Sequence, residues 1–98
     1  MPNFKISAKA KNDLIAIAKN TEKRWGREQR RTYLKSLDNA FHSIAKRPSI
    51  GKSCDFIKVG YRRYPQGSHV IFYRLNNQAV IEIIRVLHKR MDYLSKLS

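Results

Sequence analysis

Acidic residues are scarce in this chain: 7 Asp and Glu stand against 21 Lys and Arg, for a formal charge of +14. So few carboxylates argue against paired-carboxylate chemistry of the glycosidase type, because most of them pattern as surface helix residues. Cysteine occurs once, at Cys54. No internal disulfide can form, which suits a reducing cytoplasm. No neighbouring motif equips Cys54 as a nucleophile. The 4 glycines are spaced neither as GxxxxGK followed by Ser or Thr nor as GxGxxG, so no phosphate-cradling loop is present. His42, His69, His88 and Cys54 lack the CxxC or HxxxH spacing of metal ligands. No metal and no cofactor is expected. No apolar stretch approaches the ~20 residues of a membrane span, and the N-terminus has no apolar run of signal-peptide length. A cytoplasmic location and no membrane partner are expected.

The chain has 98 residues, the length of one ordinary domain, and a single domain over 1–98 is expected. Ordering each residue costs roughly 1–2 kcal/mol of backbone entropy. Apolar burial must offset nearly all of that, which leaves few side chains to line a deep pocket. The surface is therefore the place to look for function. The positive charge is not confined to a tail, since both halves carry it. A body this cationic attracts polyanions: nucleic acid, ribosome or an acidic protein.

Hydrophobic periodicity gives the elements. Asn3 to Ile6 reads as a short strand. Ser7 can cap a helix by accepting an orphan backbone N–H. Leu14, Ile17, Ala18, Thr21 and Trp25 then recur on one helical face, and Gly26 suits a left-handed stop. Leu34, Leu37, Phe41, Ile44 and Ala45 repeat the pattern in a second helix, with Arg27, Arg30, Arg31 and Lys35 largely off the stripe. Pro48 ends that helix, and Pro48-Ser49-Ile50-Gly51 reads as a loop. The short joint predicts an antiparallel helical hairpin.

After the hairpin the period changes. Ile57 to Tyr64 is a candidate strand, followed by a turn at Pro65-Gln66-Gly67. His69 to Leu75 is rich in strand-forming residues, and Asn76-Asn77 fits a two-residue hairpin turn. Ala79 to Leu87 is apolar on both faces and predicts a central strand. Lys89 to Leu97 forms either a short helix or a tail. The order β-α-α-β-β-β predicts an α+β fold, with the hairpin on one face of an antiparallel sheet and the first strand returning beside the others.

One constellation carries chemistry. Tyr61-Arg62-Arg63-Tyr64, Tyr73-Arg74, Arg85, His88 and Lys89-Arg90 lie on successive strands and can gather on a face. Arginines could clamp phosphates while His88 moves a proton, as RNA cleavage by 2′-OH attack requires. The same cations could pair with carboxylates of an acidic protein. Alternatively, Tyr61, Tyr73 and Arg85 fill the rim of the core and extend outward.

The ordered set of motifs resembles the ParE toxins of the RelE/ParE superfamily, from bacterial type II toxin–antitoxin systems. The matching residues are Ser7 to Leu14 with Ile17, Trp25-Gly26, Tyr33 and Leu37, Pro48 to Gly51, Gly60 to Arg63, His69 to Arg74, and Ile84 to Asp92. The resemblance implies an acidic ParD-like antitoxin that wraps the toxin, and DNA gyrase as the target. Relatives of the RelE type instead cleave messenger RNA on the ribosome. For that alternative the catalytic candidates are Arg62, Arg63 and His88, but Lys89 follows His88 where the cleaving relatives suggest tyrosine. For gyrase the contact candidates are Arg62, Arg63, Lys89, Arg90 and Lys96. For the antitoxin they are Trp25, Leu34, Leu37 and Phe41. No sequence-specific nucleic-acid binding by the toxin alone is expected.

Overall fold

A computed structural model describes residues 4–97. Its elements are β1 (Phe4–Ile6), α1 (Ala8–Trp25), α2 (Arg27–Lys46), a 3-10 turn (Pro48–Ile50), β2 (Lys52–Ser53), β3 (Tyr61–Gln66), β4 (His69–Leu75), β5 (Ile81–His88) and α3 (Tyr93–Leu97). This is the expected α+β arrangement; Asn3, read as the start of the first strand, lies outside the described residues. The strand order is β1-β5-β4-β3-β2. The strands after the hairpin pair antiparallel as expected, and β1 returns beside them by pairing with β5 in parallel. The hairpin between β1 and β5 supplies the crossover that parallel neighbours need.

Local chemistry accounts for the helix ends. Ser7 Oγ accepts from the Ala10 N–H at 3.0 Å, and its own hydroxyl donates to the Ile84 carbonyl at 2.7 Å. One side chain thus caps α1 and fixes it to β5. Gly26 ends α1 with a positive φ of 91° but an extended ψ of 175°, so it turns the chain at once into α2 without a left-handed helical residue. Across this joint Arg30 Nη1 meets Glu22 Oε1 at 2.7 Å.

The sheet separates two apolar clusters. Towards α1 and α2 lie Ala10, Ile17, Leu37, Ala40, Phe41, Ile44, Ile71, Tyr73, Ile81, Ile83 and Val86. On the opposite face Cys54, Tyr61, Phe72, Leu87 and Leu97 pack together, with Ile57 and Tyr93 against them. Burying a large aliphatic or aromatic side chain stabilises by about 1.5–3 kcal/mol. Both faces of β5 contribute, as expected of a central strand. Tyr73 is fully buried, yet its hydroxyl is satisfied: it donates to the Pro48 carbonyl at 2.7 Å and accepts from Gly51 N–H at 2.9 Å.

Three sequence readings shift. The segment Asp55–Gly60 is a turn, and β3 begins only at Tyr61. The Cys54 carbonyl accepts from Ile57 and Lys58, and Asp55 Oδ1 accepts from Gly60 N–H. That closed network takes the backbone groups a strand would have used. The strand then continues through Pro65 and Gln66, leaving the turn to Gly67 and Ser68. The expected two-residue turn at Asn76-Asn77 is a longer loop, in which Asn76 Oδ1 accepts from Gln78 and Val80 and the positive φ falls on Ala79.

Candidate functional site

An open groove of about 740 Å³ lies where the tip of the helical hairpin meets the end of the sheet. Its wall on the sheet side is a ring cluster. β4 and β5 are in register at His69 and His88, whose rings meet edge to face at 5.4 Å. Tyr33 of α2 reaches down to them, with its hydroxyl 2.6 Å from His69 Nδ1. That oxygen also accepts from Ser68 N–H at 3.1 Å. Burial first, and then the neighbouring His88, push the His69 pKa down to about 4. Near neutrality His69 is therefore uncharged. The Tyr33 hydroxyl donates to the Gln66 carbonyl at 3.2 Å, and the role of His69 Nδ1 in its contact with that hydroxyl is set by the imidazole tautomer. Burial raises the Tyr33 pKa, partly opposed by the Ser68 hydrogen bond, so the phenol stays protonated. His88 Nδ1 accepts from the Arg90 N–H at 3.1 Å.

The cations predicted to form one surface do not. Arg62 pairs with Tyr73 and Arg63 with Phe72. Tyr73 belongs to the cluster under the helices and Phe72 to the cluster on the opposite face. Directly opposed residues share a face, so Arg62 and Arg63 point to opposite sides of the sheet. Arg62 is held inward, with Nη1 donating to the Gly51 carbonyl at 2.7 Å. His88 is level with Gln66, four residues along β3 from Arg62 and two strands across. That places it roughly 13 Å along and 10 Å sideways. The nuclease candidates Arg62, Arg63 and His88 thus fail to converge. The alternation rule that separates adjacent strand residues was available from sequence; the register was not. Lys89 and Arg90 follow β5 in an exposed turn, and Lys96 is exposed on α3. Arg85 is engaged by Asp13, with guanidinium–carboxylate distances of 2.8 and 2.9 Å.

The apolar docking candidates also divide. Trp25 is 70% exposed, because an open groove and not a strand lies beneath it. Leu34 is partly buried against the core. Leu37 and Phe41 are 0% and 2% exposed. They are core residues, and a partner cannot touch them in this fold. The stripe that packs α2 on the sheet cannot also face outward. Sequence reasoning missed the Tyr33–His69–His88 contact, whose only sequence signal was a histidine opening a strand-forming run and another closing one. It also missed Asp13, whose partners lie at the far end of the chain.

The fold has close counterparts among solved toxin–antitoxin complexes. The chromosomal ParDE system from P. aeruginosa superposes with a TM-score of 0.75 at 19% identity, covering 90% of this chain and 96% of that one. The RelBE2 complex from Mycobacterium tuberculosis gives 0.65 at 20% identity, covering 91% and 100%. Sequence narrows the class. Residues 4–93 match the family described as the ParE toxin of the type II toxin–antitoxin system parDE. Toxin ParE1 of Mycobacterium tuberculosis H37Rv is 42% identical over 89 residues, 91% of each chain. Toxin ParE1 of Caulobacter vibrioides is 41% identical over 92 residues, 94% of each. The chain belongs to the ParE toxin family of type II toxin–antitoxin systems.

Proposed function

We propose that this chain acts as one toxin domain in the cytoplasm, inhibits DNA gyrase and so blocks replication, and is held inactive by an acidic ParD-like antitoxin. The observation that carries this reading is the ParE family match over residues 4–93. The failure of Arg62, Arg63 and His88 to share a site weakens the messenger-RNA-cleaving alternative, since a phosphate clamp and a proton carrier must both reach one scissile bond.

Charge supports a protein partner. Only Arg30, Arg74 and Arg85 pair with carboxylates among the Lys and Arg side chains of the described residues. An acidic antitoxin would neutralise much of the remainder, and attraction would speed the encounter. Its apolar contacts would fall on Trp25 and on the exposed part of Leu34. An extended segment could continue along the free edge at β2. Target contact would then involve Arg63 on the face away from the helices, with Lys89, Arg90 and Lys96 of the C-terminal segment. Arg62 would support that surface only indirectly, through Gly51. The test compares plasmid supercoiling by gyrase with the integrity of ribosome-bound messages, each with added toxin.

A further inference from the structure

We infer that the groove at the hairpin tip binds single-stranded nucleic acid, with an unpaired base stacked on Trp25 and the adjoining phosphates held by Lys23 and Arg24. Three features of the groove lead there. First, among the described residues no carboxylate lines it, while Lys23 and Arg24 both do, and neither has an acidic partner within ion-pair distance there. Second, Trp25 is 70% exposed beside them, so an indole face is open at the same place as the charge. Third, the rest of the wall is mostly hydrogen-bonding: Asn20, Gln29, Ser68 and His88 contribute to it, and the one aliphatic side chain among the described residues that line it, Ile17, is 6% exposed.

An acidic peptide would also meet the cations, but its affinity would depend on apolar anchors in apolar sockets, and this wall supplies none besides the indole. A base–phosphate chain needs what is present: a π-face, fixed cations and scattered donors. Such sites take any sequence, because every base has a face to stack and every linkage a charge. His69 is uncharged near pH 7, and the phosphate contacts fall to Lys23 and Arg24. The proposed antitoxin would compete for Trp25, so the binding is a property of the free chain and is measured without antitoxin or gyrase.

Trp25 is the only tryptophan in the chain, so its fluorescence reports directly on the groove. The free chain is titrated with a short thymidine oligonucleotide. Saturable quenching is expected, weakening as salt rises because phosphate neutralisation releases counterions. The pair Lys23→Glu and Arg24→Glu should weaken binding by at least about tenfold, the scale of two lost phosphate contacts at moderate salt. Lys9→Glu with Lys11→Glu makes the same charge change on exposed positions of α1 outside the groove and should have a much smaller effect. Trp25→Ala, followed by anisotropy of a dye-labelled oligonucleotide, should lose about tenfold through the missing stack. Circular dichroism checks that each variant is folded. Absence of quenching overturns the inference. So does equal weakening by the two charge reversals, which would mean general attraction to a +14 body. Equal quenching by a poly-glutamate peptide would assign the groove to acidic protein and overturn it too.

Discussion

The Asp13 carboxylate grips Arg85 with both oxygens, at 2.9 and 2.8 Å, and the second oxygen also accepts the Val86 backbone N–H at 3.0 Å. This contact sits on a β-bulge. Phe72 pairs with Arg85 and Tyr73 with Ile83, so Ile84 has no counterpart on β4. A bulge leaves backbone groups without ladder partners. Here α1 supplies them: Ser7 donates to the Ile84 carbonyl and Asp13 accepts from Val86. The helix thus completes the strand.

Asp13→Asn should therefore cost more than a surface ion pair. Both side chains are mostly buried, at 14% and 16% exposure, and removing one member leaves the Arg85 charge uncompensated. A loss of about 2–4 kcal/mol is expected. Urea denaturation of the variant and the parent chain measures it, and a loss below about 0.5 kcal/mol would place the pair in the class of solvent-screened contacts.

Gly51→Ala should destabilise by about 1–3 kcal/mol through overpacking. A Cβ there would overlap the Tyr73 hydroxyl and come within 2.7 Å of the Arg63 carbonyl oxygen. The backbone φ of −81° is ordinary, so the constraint is space alone. Gly51→Ala combined with Tyr73→Phe should recover part of the loss in thermal melts, since the phenol oxygen is the first atom met.

Acid should weaken the fold through His69. Its pKa is about 4 in the folded chain and 6.5 as the reference value. Between these the unfolded chain binds the proton and the folded one does not, so stability falls as pH drops from 6.5 towards 4. In this half-buried setting the loss is about 1–2 kcal/mol after allowance for solvent screening. Denaturation midpoints at pH 7 and pH 4.5 read it out, and His69→Asn should flatten the slope in that window.

Arg62 and Arg63 should behave differently despite adjacency. Arg62→Ala removes the hydrogen bond to Gly51 and should lower stability by about 1 kcal/mol. Arg63→Glu should leave the melting curve nearly unchanged and abolish growth inhibition when the chain is expressed without antitoxin. Equal killing by Arg63→Glu would remove Arg63 from the target surface.

Much of the fold was legible because it is local. Helical stripes, the Ser7 cap, the Pro48 stop and the apolar run of β5 each depend on neighbours within a few residues. What escaped is non-local. Ile57 and Tyr61 look like strand residues, but Ile57 is drawn into a turn by the Cys54 carbonyl. The parallel pairing of β1, the bulge at Ile84 and the His69–His88 contact all follow from register between distant segments. The site suffered most from this. Leu37 and Phe41 were correctly read as an apolar stripe and wrongly offered to a partner, because period identifies a buried face but does not say what buries it. Trp25 continues the period of Leu14 and Ile17 on α1 and is nonetheless exposed, since the sheet ends before reaching it.

Gyrase inhibition itself is best tested by supercoiling of relaxed plasmid by purified DNA gyrase at rising concentrations of the free chain, alongside ribosomes loaded with a defined message. The predicted result is loss of supercoiling, restored by a ParD-like antitoxin, with the message left whole. Undiminished supercoiling at saturating toxin together with a cut message would contradict it and assign the chain to the RNA-cleaving branch.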